Sequence, residues 1–118
     1  MIYYSSTLDT SENKQFVETL KAKFGPQALP STFTLGGYDS MALIFKAVSE
    51  GEGDTTDGDK VMRSLVGYIY ASPRGQVTIA PSRELVEDFI VRRVEKTGEG
   101  LHNVIIDTIP QVDPTTFK

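Results

Sequence analysis

Residues 35–49, LGGYDSMALIFKAVS, constrain this chain more than any other stretch. They read as one helix. Between positions 38 and 48, eight of eleven residues are apolar: Tyr38, Met41, Ala42, Leu43, Ile44, Phe45, Ala47 and Val48. A surface helix carries such residues as one stripe, whereas here they run most of the way round. The helix therefore needs partners on at least two sides. Each large side chain contributes roughly 1.5–3 kcal/mol when buried, as an upper figure. Gly36 and Gly37 at its start allow another backbone to come close. Lys46 is its only cation, and Asp39 its only anion before Glu50. The rest of the 118 residues must cover this helix or leave apolar surface bare.

The flanking chain supplies few candidates. Ile2, Tyr3 and Tyr4 form a β-prone triplet that begins directly after Met1, as in a chain cut from something longer. Thr10 or Ser11 caps a helix over residues 11–24, with Glu12 in the first turn where the helix dipole favours an anion. Phe16, Val17, Leu20 and Phe24 follow at helical spacing, and Gly25-Pro26 ends the helix. Residues 27–32 are a loop. Residues 50–59, EGEGDTTDGD, are acidic and glycine-rich. They fit no register of a calcium-binding loop and read as a flexible connection in which Asp57 or Asp59 caps the next helix. That helix covers residues 59–66 and turns Val61, Met62, Leu65 and Val66 inward.

Two hairpins follow. The first starts at residues 68–70, turns at Ser72-Pro73-Arg74-Gly75 and returns through Val77 and Ile79. Residues 81–87 connect, with at most one helical turn. The second runs out over residues 89–94, turns at residues 97–100 and returns over 102–109, ahead of an irregular tail.

The chemistry is sparse. Cysteine is absent and His102 is the single histidine, which disfavours a transition-metal site and a nucleophilic triad. Ser40 in GYDSM lacks the nucleophile-elbow pattern. No phosphate-binding or dinucleotide motif is present. Asp39 and Asp107 are the only acids set within apolar stretches, where either can cap a helix or face solvent. A net charge of −4 argues against a nucleic-acid partner. The aromatics at element edges, among them Phe33 and Tyr38, are the better lead to a small ligand.

The order of these elements resembles the C-terminal third of the type I solute-binding proteins of ABC transporters, the branched-chain amino acid, amide and urea group. Four segments carry the likeness. They are a hinge strand and helix with an N-K-x-F-V core at residues 13–17, and GYDSMALIFKAV at 37–48, similar to that family's "YDA" helix. The third is the run Leu65, Gly67, Ser72, Pro73, Gly75, Val77 and Ile79, and the fourth is the terminal hairpin with Asp113-Pro114. The resemblance implies an α/β fragment of a periplasmic-binding-protein-like I fold, with three helices and two β-hairpins. Residues 1–80 would be the C-terminal part of lobe I, and residues 81–118 a chain crossing and the terminal hairpin of lobe II. It further implies a hinge at Tyr3, Tyr4 and Ser5. Phe33, Leu35 and Tyr38 would contribute an apolar wall to the ligand cleft. No catalytic residue, metal or cofactor is implied. The implied partners are a small solute, an amino acid or amide, and a membrane permease. A secretory leader upstream would direct the protein to the periplasm, and this piece alone would self-associate. A ligand-sensing domain of the same fold, or a small self-contained interaction domain, are the alternative readings.

Overall fold

The computed structural model describes residues 2–98 and 100–116. Three helices precede four strands: α1 (Ser11–Phe24), α2 (Thr32–Glu50), α3 (Gly58–Leu65), β1 (Ile69–Ser72), β2 (Gly75–Ile79), β3 (Leu85–Thr97) and β4 (Gly100–Val112). A single 3-10 turn, Pro114–Thr116, follows. The strands form one antiparallel sheet in the order β1-β2-β3-β4.

Local chemistry accounts for the helix ends. The Thr10 hydroxyl accepts from the Asn13 amide at 3.1 Å, and Gly25 closes α1 at a φ of 95°. Helix α2 starts three residues before the expected Leu35, because Ser31 and Thr34 form a reciprocal capping box at 3.2 and 2.8 Å. Phe33 therefore sits in its first turn. Gly36 and Gly37 lie inside the helix, where an added Cβ would meet nothing within 4 Å, so the expected close backbone approach is missing among the described residues. Asp57 caps α3 by accepting from the Asp59 and Lys60 amides, which starts that helix at Gly58 and leaves Val66 outside it at the surface.

Residues 2–4 make one isolated bridge, Ile2 to Ile90, in place of the expected strand. Residues 81–84 turn without a helical segment, and residues 85–87 already belong to β3. The second hairpin is longer than its alternation suggests and takes in residues 110–112 of the expected tail. Its register shifts between Glu87 and Phe89, opposite Gln111, whose φ is 47°. Asp88 Oδ1 accepts from both the backbone amide and the side-chain amide of Gln111 at 2.9 Å, so the bulge is held by its own hydrogen bonds. The hairpin turn at Glu99, and Met1, lie outside the described residues.

Two small cores form. Tyr4, Phe16 and Leu35 make one, and Ala47, Leu65 and Ile79 the other. Both depend on a single stripe of α2: Leu35, Asp39, Leu43 and Ala47, four residues apart. The opposite flank stays open. Tyr38, Met41, Ile44 and Phe45 are all exposed, Phe45 by 65%. The radius of gyration is 16.3 Å, against about 13–14 Å for a compact chain of this length. The expectation that this chain cannot cover its central helix holds.

The two sides of α2 should respond oppositely to truncation. Leu35→Ala is expected to cost about 2–5 kcal/mol in urea unfolding. Phe45→Glu should change stability by no more than about 0.5 kcal/mol, the figure for a surface site.

Candidate functional site

The polar centre of the molecule is assembled from three elements. The turn between β1 and β2 is two residues, Pro73-Arg74, and Gly75 accommodates it at a φ of 116°. The turn points Arg74 inward, where it is 7% exposed. Arg74 Nε and Nη2 both donate to Asp39 Oδ2 of α2, at 3.0 and 2.7 Å. Nη1 donates to Glu87 Oε2 of β3. Ser72 Oγ donates to the same Asp39 oxygen at 2.8 Å and accepts from the Arg74 amide at 3.2 Å. One guanidinium thus joins α2, the first hairpin and β3. Its fork geometry suits two carboxylates, a role lysine could not fill.

The charges do not balance. One cation faces two carboxylates, and Asp39 Oδ1 is a buried oxygen without a hydrogen-bond partner among the described residues. Glu87 takes up the imbalance. Burial pushes its carboxyl above the ordinary value of 4.5, against the pull of Arg74, with Asp39 and Asp88 adding to the rise. Tyr70 is raised too, first by burial and next by the Asp39 charge.

Of the residues expected at a hinge, Tyr3 lies against this cluster, while Tyr4 and Ser5 are held by other partners. The Tyr3 ring sits beneath the Arg74 guanidinium, 4.9 Å from centroid to Cζ. Tyr4 is buried and donates from its hydroxyl to Asn13 Oδ1 at 2.9 Å; burial raises that phenol to about 12. Ser5 is buried and shares a hydrogen bond with Thr7. Asn13 completes the anchor by donating to the Ser6 and Leu8 carbonyls at 3.0 and 2.8 Å. The strand-like segment is therefore stapled to α1 through one fully satisfied amide.

The expected wall residues are not brought together. Phe33 projects into solvent at 90% exposure. Leu35 has no exposed surface and packs with Tyr4 and Phe16. Tyr38 leans on Phe16, ring centroids 5.0 Å apart, in an open groove of about 590 Å³ between α1 and α2. Phe24, Met41 and Phe45 line the same groove. His102 is exposed on β4, paired across from Glu95. Asp107 is exposed as well. Asp39 does neither of the things expected of it: it caps nothing and is buried in an ion pair. The signal for that was its place on the Leu35–Leu43–Ala47 stripe, where an acid needs a buried cation.

A sequence profile described as "Periplasmic binding protein" matches residues 1–99. The chain belongs to the periplasmic binding protein family. Within that family it is 34% identical over 101 residues to the Leu/Ile/Val-binding protein homolog 6 of Brucella abortus (strain 2308), a match that covers 85% of this chain and 26% of the relative. A solute binding protein of an ABC transporter from Rhodopseudomonas palustris BisB5, solved with 3,4-dihydroxybenzoic acid, is 33% identical with a TM-score of 0.84. It covers 97% of this chain, which spans 31% of it. A second, from R. palustris HaA2 with p-hydroxybenzoic acid, is 28% identical with a TM-score of 0.87, over 98% of this chain and 31% of that one. The chain thus spans about a quarter of the curated relative's length and under a third of the solved ones. Its fold is that of a type I periplasmic-binding-protein fragment, and the family is a non-catalytic transport class.

Two outcomes are expected for the cluster. Arg74→Met leaves two buried carboxylates facing each other and should cost about 3–5 kcal/mol in urea unfolding. For Glu87, the folded chain holds the proton more tightly than the unfolded one. Its contribution to stability therefore grows as pH falls through the raised value and levels off below 4.5. Glu87→Gln should remove that growth, so unfolding titrations from neutral pH down to 4.5 will show a flatter profile than the parent.

Proposed function

We propose that this chain is the C-terminal portion of the solute-binding component of an ABC transporter. Residues 1–80 complete lobe I, and residues 81–118 form a crossing and the terminal hairpin of lobe II. The family match across residues 1–99 carries this reading, together with one geometric feature. The bridge between Ile2 and Ile90 sets the segment 2–5 beside the start of β3. Two passages of chain side by side are what a hinge between two lobes requires. Tyr3, Tyr4 and Ser5 are the hinge of that arrangement. The bare flank of α2 and the groove beside it fit the same reading, as the place where the parallel sheet of lobe I packs.

The ligand is a small carboxylic acid held between the lobes, either an amino acid or a hydroxybenzoate. The 3,4-dihydroxybenzoic and p-hydroxybenzoic acids of the two solved relatives, and the leucine, isoleucine and valine in the third relative's name, share a carboxyl group. Phe33, the most exposed ring of α2, is the first choice for an apolar wall, Tyr38 the second, and Leu35 backs them from the core. Closure of the lobes over this solute is a shift between open and closed populations, and the closed form is presented to a membrane permease. The compartment is the periplasm, reached through a secretory leader.

Calorimetric titration of the complete two-lobed protein with leucine, 4-hydroxybenzoate and 3,4-dihydroxybenzoate tests the reading. Saturable binding of one of them, weakened roughly tenfold or more by Phe33→Ala, is expected. Failure of all three to bind contradicts the assigned ligand class. The 118-residue chain by itself should self-associate through the open flank of α2. Sedimentation velocity is expected to show species larger than the 13.0 kDa monomer, and the pair Met41→Lys with Phe45→Lys should restore the monomer.

A further inference from the structure

The segment 2–5 is attached to the sheet more weakly than its position suggests. Its only ladder contact among the described residues is the Ile2–Ile90 pair, two hydrogen bonds of 2.9 and 2.6 Å. An isolated bridge of that size is ordinarily a fraying end. Here it lies beside the Arg74 cluster. Arg74 Cζ lies over the Tyr3 ring, and Nη1 donates to Glu87, three residues before Ile90 on β3. Its remaining donors are anchored on Asp39, and the Asp39 oxygen is held in place by Ser72. The cation cannot swing away without leaving buried carboxylates unpaired, which is costly. The Tyr3 ring is therefore held against a fixed cation.

We propose that Arg74 is a positioning residue that clamps the segment 2–5 to the start of β3, so that these two passages of chain move as one body. The clamp has three jaws: the Tyr3 face, the Glu87 carboxylate and the Asp39 anchor. Its consequence for lobe movement rests on the reading of these passages as interlobe crossings. In that case bending is confined to residues outside the clamp, and the two crossings share one axis. The clamp itself is independent of any ligand, and is tested without one.

Amide hydrogen exchange, followed residue by residue by NMR on this chain, provides the test. Arg74→Lys keeps the charge and loses the planar fork. The Ile2 and Ile90 amides should then exchange at least tenfold faster, while the Gly25 amide at the end of α1 and the amides of the distal β3–β4 hairpin keep their parent rates. Tyr3→Leu leaves the buried charges untouched and should accelerate the same two amides; Tyr3→Phe, which keeps the ring, should restore them. The Tyr3 pair decides the matter even where Arg74→Lys fails to fold. Unchanged Ile2 and Ile90 exchange in Tyr3→Leu overturns the clamp. So does a uniform acceleration of all amides, which would make the cluster a general support of the fold. Either result leaves the solute-binding reading standing, because that reading is decided by titration of the complete protein.

Discussion

A single buried arginine is the constraint on which the rest of this structure depends. Arg74 lies where α2, the first hairpin and β3 meet, and it joins all three through side-chain hydrogen bonds. Taking three charges out of water is expensive, and the cost is offset only when donors and acceptors meet with good geometry. That requirement specifies the arrangement. The two-residue turn must carry Arg74 inward, Asp39 must lie on the buried stripe of α2, and β3 must begin early enough to place Glu87 opposite. The apolar cores on either side, around Leu35 and around Ala47, are each too small to fix these relations alone.

The rest of α2 describes what is not in this piece. Its inner stripe is satisfied, and its outer flank of Tyr38, Met41, Ile44 and Phe45 faces water. Scattered exposed apolar residues are ordinary, but a contiguous set on one helix marks a surface meant to be covered. The relatives are three to four times longer, and on the proposed reading the parallel sheet of lobe I supplies that cover. An extended outline and a bare helix flank are both consistent with a third of a two-lobed protein.

Much of the fold was readable from residues. The helix ends at Thr10, Asp57 and Gly25, the turn at Ser72–Gly75 and the oiliness of α2 each have a local cause, and local causes are visible in sequence. The misses were of two kinds. The capping box of Ser31 and Thr34, which has Thr where Glu or Gln is usual, starts α2 three residues ahead of the apolar run. The second kind was tertiary. Nothing adjacent in sequence tells Asp39 that its partner lies 35 residues away, or tells the segment 2–4 that it will pair with β3 at one position only. The three expected wall residues diverge for a related reason. Phe33, Leu35 and Tyr38 are close in sequence, but successive turns of a helix send them to solvent, to the core and to a groove.

A double-mutant cycle between Asp39→Asn and Arg74→Met reaches the central claim most directly. If one cation binds α2 to the sheet through this carboxylate, the two losses of stability will fall short of additive by on the order of 1–3 kcal/mol, the range for residues in one buried network. Losses that add to within about 0.5 kcal/mol, as for distant and independent sites, would show that the two residues stabilise the chain separately and that the cluster is not its keystone.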